Sequence, residues 1–227
     1  MNIPQPGDYI DIHVHGGKSS DGIFILETLM AHEDRLPEET QGAAFTYGIH
    51  PWFLTKENSK RQLELVKEIT AEPGIVAIGE AGFDKLKGPS IELQSEIFNE
   101  QVKISEELHK PLIIHCVRAW DEVLDAAKKL KPKMPWMIHG YRGKIRQAEQ
   151  LISKGFWLSV WFDFALRPES SELMKDIPAD RFFLETDGAD VSIKSIYEKV
   201  AADKGIVVDE LKALLFSNYM KFFGITD

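Results

Sequence analysis

The feature that most narrows what this chain can fold into is an alternation sustained along its whole length. Short β-rich runs at residues 9–14, 23–26, 44–49, 75–79, 112–115, 134–139, 156–160 and 182–184 punctuate segments with helical periodicity. Leu63, Val66 and Ile69 recur on one helical face behind a capping-box spacing of Ser59 and Gln62. Ile97, Phe98, Gln101, Ile104 and Leu108 do the same, and further helical patterns cover 119–130, 145–152 closed by Gly155, 193–200 closed by Gly205, and 209–223. Strands separated by helices of this length pair in parallel through right-handed crossovers. Eight such runs predict an α/β fold, a TIM-type (β/α) barrel, in preference to an open doubly wound sheet. The first unit departs from the pattern. Residues 15–22 are too few for a crossover helix, so the first β/α unit is expected to be contracted and to lack its helix.

Nothing in the 227 residues suggests an internal boundary: there is no repeat, low-complexity tract or Gly/Ser linker, and a single domain spanning 1–227 is expected. Hydrophobic residues at 44% and charged residues at 28% exclude a disordered or membrane-embedded chain. No apolar run approaches membrane-spanning length, and no membrane association is expected. The start lacks a basic segment followed by an apolar one, and the one cysteine, Cys116, has no intrachain partner, which together predict a cytoplasmic address. No obligate protein partner is evident. A formal charge of −9 repels polyanions at long range, so binding nucleic acid would need local help from bound cations or a small basic rim.

Metal-ligand side chains fall at one repeated place, the C-terminal end of the strand runs, where barrel enzymes assemble their sites. His13 and His15 close the first run, Glu80 the fourth, His115 the fifth and His139 the sixth, and Asp187 follows the eighth. His50 follows the third. Because side chains alternate along a strand, His13 and His15 point the same way and can share a cation, with Asp11 behind them to orient a ligand. One buried histidine alone is more often a core residue satisfied by a backbone group. Six such groups together are different, since burying them without a cation costs several kcal/mol each. Imidazole and carboxylate donors without thiolate suit one or two divalent ions: Zn²⁺, Mn²⁺, Fe²⁺, Ni²⁺ or, with more water, Mg²⁺. Cys116 is expected to face the other side of its strand as a small buried hydrophobe. His109 is expected at a helix end, against the dipole.

Taken in order, these residues resemble the TatD-like metal-dependent hydrolases among the amidohydrolase-type barrels. Asp11-Ile-His-Val-His15 resembles D-x-H-x-H, Gly48-Ile-His-Pro51 the G-x-H-P segment, and Gly79-Glu-Ala-Gly-Phe-Asp84 the G-E-x-G-L-D segment. Pro111-Leu-Ile-Ile-His115, His139-Gly-Tyr-Arg-Gly143 and Leu184-Glu-Thr-Asp187 resemble P-x-x-x-H, H-x-F-x-G and L-E-T-D. The resemblance implies that His13, His15, Glu80 and Asp187 hold one metal ion, and that Glu80, His115 and His139 hold a second. It also implies phosphodiester hydrolysis, with DNA as substrate and action at single-stranded or 3′ ends as one form. Glu80 would bridge the ions, and Asp187 would orient the attacking water and accept its proton. Two departures concern the substrate: Val117 stands where the family carries arginine, with Arg118 one position later, and residues 188–193 replace the family's loop after L-E-T-D.

His50, Arg118 and Arg142 are the candidate substrate contacts, the arginines as phosphate clamps. Trp52, Trp120 and Trp161 are placed either to stack a base or simply to pack. One alternative is an amidohydrolase or lactonase acting on a small cyclic amide or ester, which a fourth-strand lysine would favour; Glu80 stands there. Another is a non-catalytic metal-binding barrel, whose signature would be lost ligands, and all six are present.

Overall fold

A computed structural model describes residues 2–17, 19–33, 35–38 and 40–225. The strands are β1 (Tyr9–Val14), β2 (Ile23–Met30), β3 (Ala43–Gly48), β4 (Ile75–Asp84), β5 (Leu112–Val117), β6 (Trp136–Tyr141), β7 (Trp157–Val160) and β8 (Phe182–Leu184). The helices are α1 (Ser59–Ile69), α2 (Ile91–Leu108), α3 (Trp120–Leu130), α4 (Ile145–Ser153), α5 (Phe162–Ala165), α6 (Ser171–Asp176), α7 (Ile193–Lys204) and α8 (Val208–Phe222). The strands form one eight-stranded sheet in chain order, and the pairings β1–β2, β3–β4, β4–β5 and β7–β8 are parallel. This is the topology of a TIM-type (β/α) barrel.

The contracted first unit is present as expected, with no helix among the described residues between β1 and the parallel β2. In the following connection the described residues hold the 3-10 turn Ala31–Glu33 and no α-helix. Ser59 does not cap α1. Asn58 occupies the cap position without a side-chain cap bond, while Thr55 and Asn58 bond reciprocally, backbone N–H to side-chain oxygen, at 2.8 and 3.2 Å. The chain reversal is thus set one turn earlier, and the Ser59 hydroxyl donates back to Lys56 O instead. His109 ends α2 in the left-handed conformation, its N–H donating to Ser105 O.

The described residues pack as two compact units. In the unit that holds residues 45–137, every residue of β4 is buried, as a parallel strand covered on both faces requires. Phe98 from α2 packs on Phe83 and Trp136 at ring separations of 4.8 and 5.4 Å. In the unit that holds residues 138–225 and the N-terminal strand, Phe222 of α8 packs on Trp157 and Phe183. Fully burying such a ring contributes roughly 1.5–3 kcal/mol, and these rings hold the helices that carry the site strands.

Candidate metal-binding clusters

In the second of these units the cluster is built on β1 and the segment after β8. His13, fully buried, and the half-buried His15 bring their Nε2 atoms to 3.5 and 3.6 Å from Asp187 Oδ1. Their rings are nearly perpendicular with centroids 4.9 Å apart, and His139 from β6 stacks on His13 at 4.1 Å. The Asp187 backbone fixes this approach: its N–H donates to His13 O at 3.0 Å, and its φ of 53° turns the chain sharply. Glycine is required next. A Cβ on Gly188, at φ +73°, would lie 2.8 Å from His15 O.

Asp11, buried behind the histidines, holds the other side of the turn. Its Oδ1 accepts Thr186 N–H at 2.9 Å and its Oδ2 accepts the Thr186 hydroxyl at 2.6 Å. Burial pushes its carboxyl up to about 7 against the lowering effect of those hydrogen bonds. Asp11 therefore positions the segment that carries Asp187. Glu185, fully buried, accepts Gly140 N–H at 2.8 Å and faces His139 Nδ1 at 3.6 Å. Its Oε2 is buried with no hydrogen-bond partner among the described residues. A buried carboxylate oxygen left this way, on the side chain that faces His139, fits a divalent cation.

In the other unit the cluster stands on β4, β5 and the turn after β3. Glu80, almost fully buried, brings Oε1 to 2.6 Å from His115 Nδ1 and 3.2 Å from His50 Nε2. A register shift between Ile78 and Ala81 in the β4–β5 pairing re-aims the strand where Glu80 leaves it. Gly82 lets β4 close on β5: a Cβ there would lie 2.0 Å from His115 O. The other His115 nitrogen, Nε2, faces Asp84 Oδ2 at 3.2 Å. Burial disfavours the Asp84 charge, but hydrogen bonds from Trp52, Leu86, His115 and Lys87 outweigh it and hold the carboxyl below its ordinary value. An ionised carboxylate against a histidine nitrogen is the usual outer support of a metal-binding imidazole.

The ligand atoms of His13, His15 and Asp187, and those of His50, Glu80 and His115, lie within 4.8 Å of one another in each set. His50 is a poor ligand despite this. Its Nδ1 accepts the Trp52 backbone N–H at 3.0 Å, so the neutral ring carries its proton on Nε2, the atom that faces Glu80. It is a donor in this cluster.

The sequence matches the family described as TatD related DNase over residues 26–224. The chain belongs to this family. Among the relatives, the uncharacterized metal-dependent hydrolase YcfH of Escherichia coli strain K12 is 27% identical over 213 residues, 86% of this chain and 78% of that protein. The 3′-5′ ssDNA/RNA exonuclease TatD of Erwinia billingiae is 33% identical over 147 residues, 63% of this chain and 56% of that one. Two solved TatD structures share the fold. The TatD family hydrolase of Entamoeba histolytica superposes with a TM-score of 0.79 at 17% identity, covering 99% of this chain and 100% of that one. The E. coli homologue YjjV gives 0.77 at 19% identity, covering 98% and 100%.

As a TatD-family metal-dependent hydrolase, the chain carries the candidate ligands His13, His15, His139 and Asp187 in one unit and Glu80 and His115 in the other. The substrate candidates differ in setting. Arg118 is exposed at the end of β5 with φ 52°, while Arg142 is exposed and stacks on Trp161 at 3.9 Å. Glu185, Asp84 and Thr186 were missed as site residues. All three stand inside motifs quoted for their other members, and nothing in composition separates a ligand's supporting residue from the ligand. Cys116 is half-buried, and burial pushes its thiol up to about 12. No helix among the described residues is long and apolar enough to cross a membrane.

Proposed function

We propose that this protein hydrolyses phosphodiester bonds in single-stranded nucleic acid, at the strand end, with one or two divalent cations. The observation that carries the reading is the approach of His13 and His15 to one oxygen of Asp187, three ligands whose residues stand at opposite ends of the chain. His13, His15 and Asp187 would hold one cation, and Glu80 and His115 a second. The motif resemblance names Glu80 and His139 as further candidate donors. The ions, Zn²⁺, Mn²⁺, Ni²⁺ or Mg²⁺, would supply Lewis acidity at the phosphoryl oxygen and acidify a water.

The chain's own groups do the rest. Asp187, with 30% of its side chain exposed, can reach a water and accept its proton. His50 offers Nε2–H to a phosphoryl oxygen that gains charge. Asp84 holds the His115 ring and Asp11, through Thr186, holds the Asp187 turn, so neither ligand has to be ordered when substrate arrives. Arg118 and Arg142 are retained as phosphate contacts.

The test is an assay of the protein with Mg²⁺, Mn²⁺, Zn²⁺ and Ni²⁺ against single-stranded DNA, a generic phosphodiester and a panel of lactones. Cleavage of the first two is expected, and Asp187→Asn should retain most bound metal while losing turnover by about 10²–10⁴-fold. Activity on the lactones alone overturns the reading, and unchanged turnover removes Asp187 from its role.

A further inference from the structure

The unit that carries Glu80 and His115 also carries a lip whose construction none of the cation chemistry explains. It is made from the 3-10 turn Pro51–Phe53 after β3 and the loop 85–89 after β4, fastened by two buried side chains. Asp84 Oδ1 accepts the N–H groups of Leu86 and Lys87 at 2.7 and 2.9 Å, while Oδ2 accepts Trp52 Nε1–H at 2.6 Å. Gln94 of α2 accepts Asp84 N–H through Oε1 at 2.8 Å and donates through Nε2 to Asp84 O and Pro89 O at 2.9 and 2.8 Å. Gly88, at φ +104°, seats the loop on the turn so closely that a Cβ would lie 2.6 Å from Pro51 O.

What this fastening holds outward is unusual for a surface. Trp52 is 40% exposed and Leu86 64% exposed, two of the few large apolar residues in the open, and Lys87 Nζ stands 3.7 Å over the Trp52 ring. The neighbouring Lys85 is engaged by Glu122 at 2.7 Å. The Trp52 ring sits 4.9 Å from His50 and 5.7 Å from His115, so the lip borders the cluster directly. A ring meant only to fill space needs no charge-assisted hydrogen bond to fix its plane.

We infer that this lip is a stacking platform for one base of a single-stranded nucleic acid, with Lys87 as its phosphate contact; the inference rests on the phosphodiesterase reading and names how its substrate is gripped. The ammonium now over the ring ends an exposed, flexible side chain. A base sliding onto the ring takes the face, and the ammonium swings to the adjoining phosphate. Stacking has a particular value in a chain of net charge −9. It holds a strand by the uncharged faces of its bases, where long-range electrostatics oppose the approach. Because Asp84 and Gln94 fix the ring beforehand, little ordering entropy is lost on binding.

The experiment compares wild type, Trp52→Ala, Trp52→Phe and Lys87→Ala. Affinity for a labelled oligothymidylate and for an abasic strand of equal length is read by anisotropy in EDTA, and KM by cleavage with metal added. Trp52→Ala is expected to weaken oligothymidylate binding by about 5- to 150-fold, the range for one base–aromatic stack, and to leave the abasic strand unchanged. Trp52→Phe, which keeps a ring and loses the Nε1–H, should fall between the two and guards against a folding defect, as does an unchanged melting temperature. Lys87→Ala should weaken both strands and flatten the slope of log K against log salt by about 0.7. A folded Trp52→Ala protein with wild-type affinity and KM overturns the platform while leaving the phosphodiesterase reading intact. Equal losses on both strands also overturn it. Wild-type protein that neither binds nor cleaves either strand overturns both.

Discussion

Because Trp52 N–H donates to His50 Nδ1, the neutral His50 ring presents a proton to Glu80 where a metal ligand would present a lone pair. His50→Ala is therefore expected to leave the bound-metal count unchanged and to lower kcat/KM by about 10- to 150-fold, the cost of a lost hydrogen bond to a charged group. Metal analysis beside kinetics checks it, and loss of an equivalent of metal would make His50 a ligand. Cys116 makes a second residue-scale prediction. Its folded pKa of about 12 stands above the ordinary value of 9.0, so the neutral thiol's stabilisation is full below that ordinary value and lost as pH rises through about 12. At pH 8 only about one thiol in 10⁴ is ionised. Native protein should react with a disulfide reagent at least about 100-fold more slowly than protein unfolded in urea, and equal rates would show the thiol accessible and unperturbed. At this scale the sequence offered His13, His15, Glu80, His115, His139 and Asp187 as candidate ligands because each stands in a quoted motif. It did not disclose Glu185, Asp84 or Thr186, because a support is recognised only by what it touches.

Among elements, α7 is tied to β1 by one side chain. The fully buried Tyr197 hydroxyl accepts Ile10 N–H at 2.9 Å and donates to Ile10 O at 3.1 Å, immediately before Asp11 and His13. Tyr197→Phe keeps the ring and leaves two buried backbone groups short of a partner, at a cost of about 1–3 kcal/mol. Thermal unfolding should show it as a melting temperature lower by about 2–12 °C. A change under 1 °C would mean that water or a shifted strand replaces the hydroxyl. Strands β1 and β8 were legible to the residue because turn residues bound their apolar runs on both sides. β4 runs five residues past the apolar run 75–79, since Glu80, Gly82 and Asp84 carry a loop-like composition and are accommodated in the strand by a register shift. The helices α5 and α6 have too few turns to display a period, and Ser59 lost its expected capping role to bonds among its preceding neighbours.

At the scale of the molecule, alternation of runs conveyed the barrel topology because strand order in a parallel sheet follows from crossover length and handedness. How many ions the chain holds, and with what affinity, depends on distances between ligands that periodicity does not encode. Stability provides a way to reach those quantities without any substrate. His13 and His15 lie near the start of the chain and Asp187 near its end, so a cation they share binds the folded protein and finds no such site in the unfolded chain. A ligand specific to the folded state stabilises by RT ln(1 + [L]/Kd), about 2.7 kcal/mol at one hundred times Kd. For a chain of this size each kcal/mol raises the melting temperature by about 2–4 °C, so loading the EDTA-stripped protein should raise it by about 5–11 °C. The rise should continue with the logarithm of free metal concentration, since each tenfold increase adds about 1.4 kcal/mol. His15→Ala removes a half-buried ligand while sparing the buried His13, so it should lower the apparent affinity and shift that dependence to higher metal concentration. If metal leaves the melting temperature of the wild type unchanged, these side chains hold no cation under the conditions tested. If His15→Ala responds as wild type does, the stabilising ion is held elsewhere.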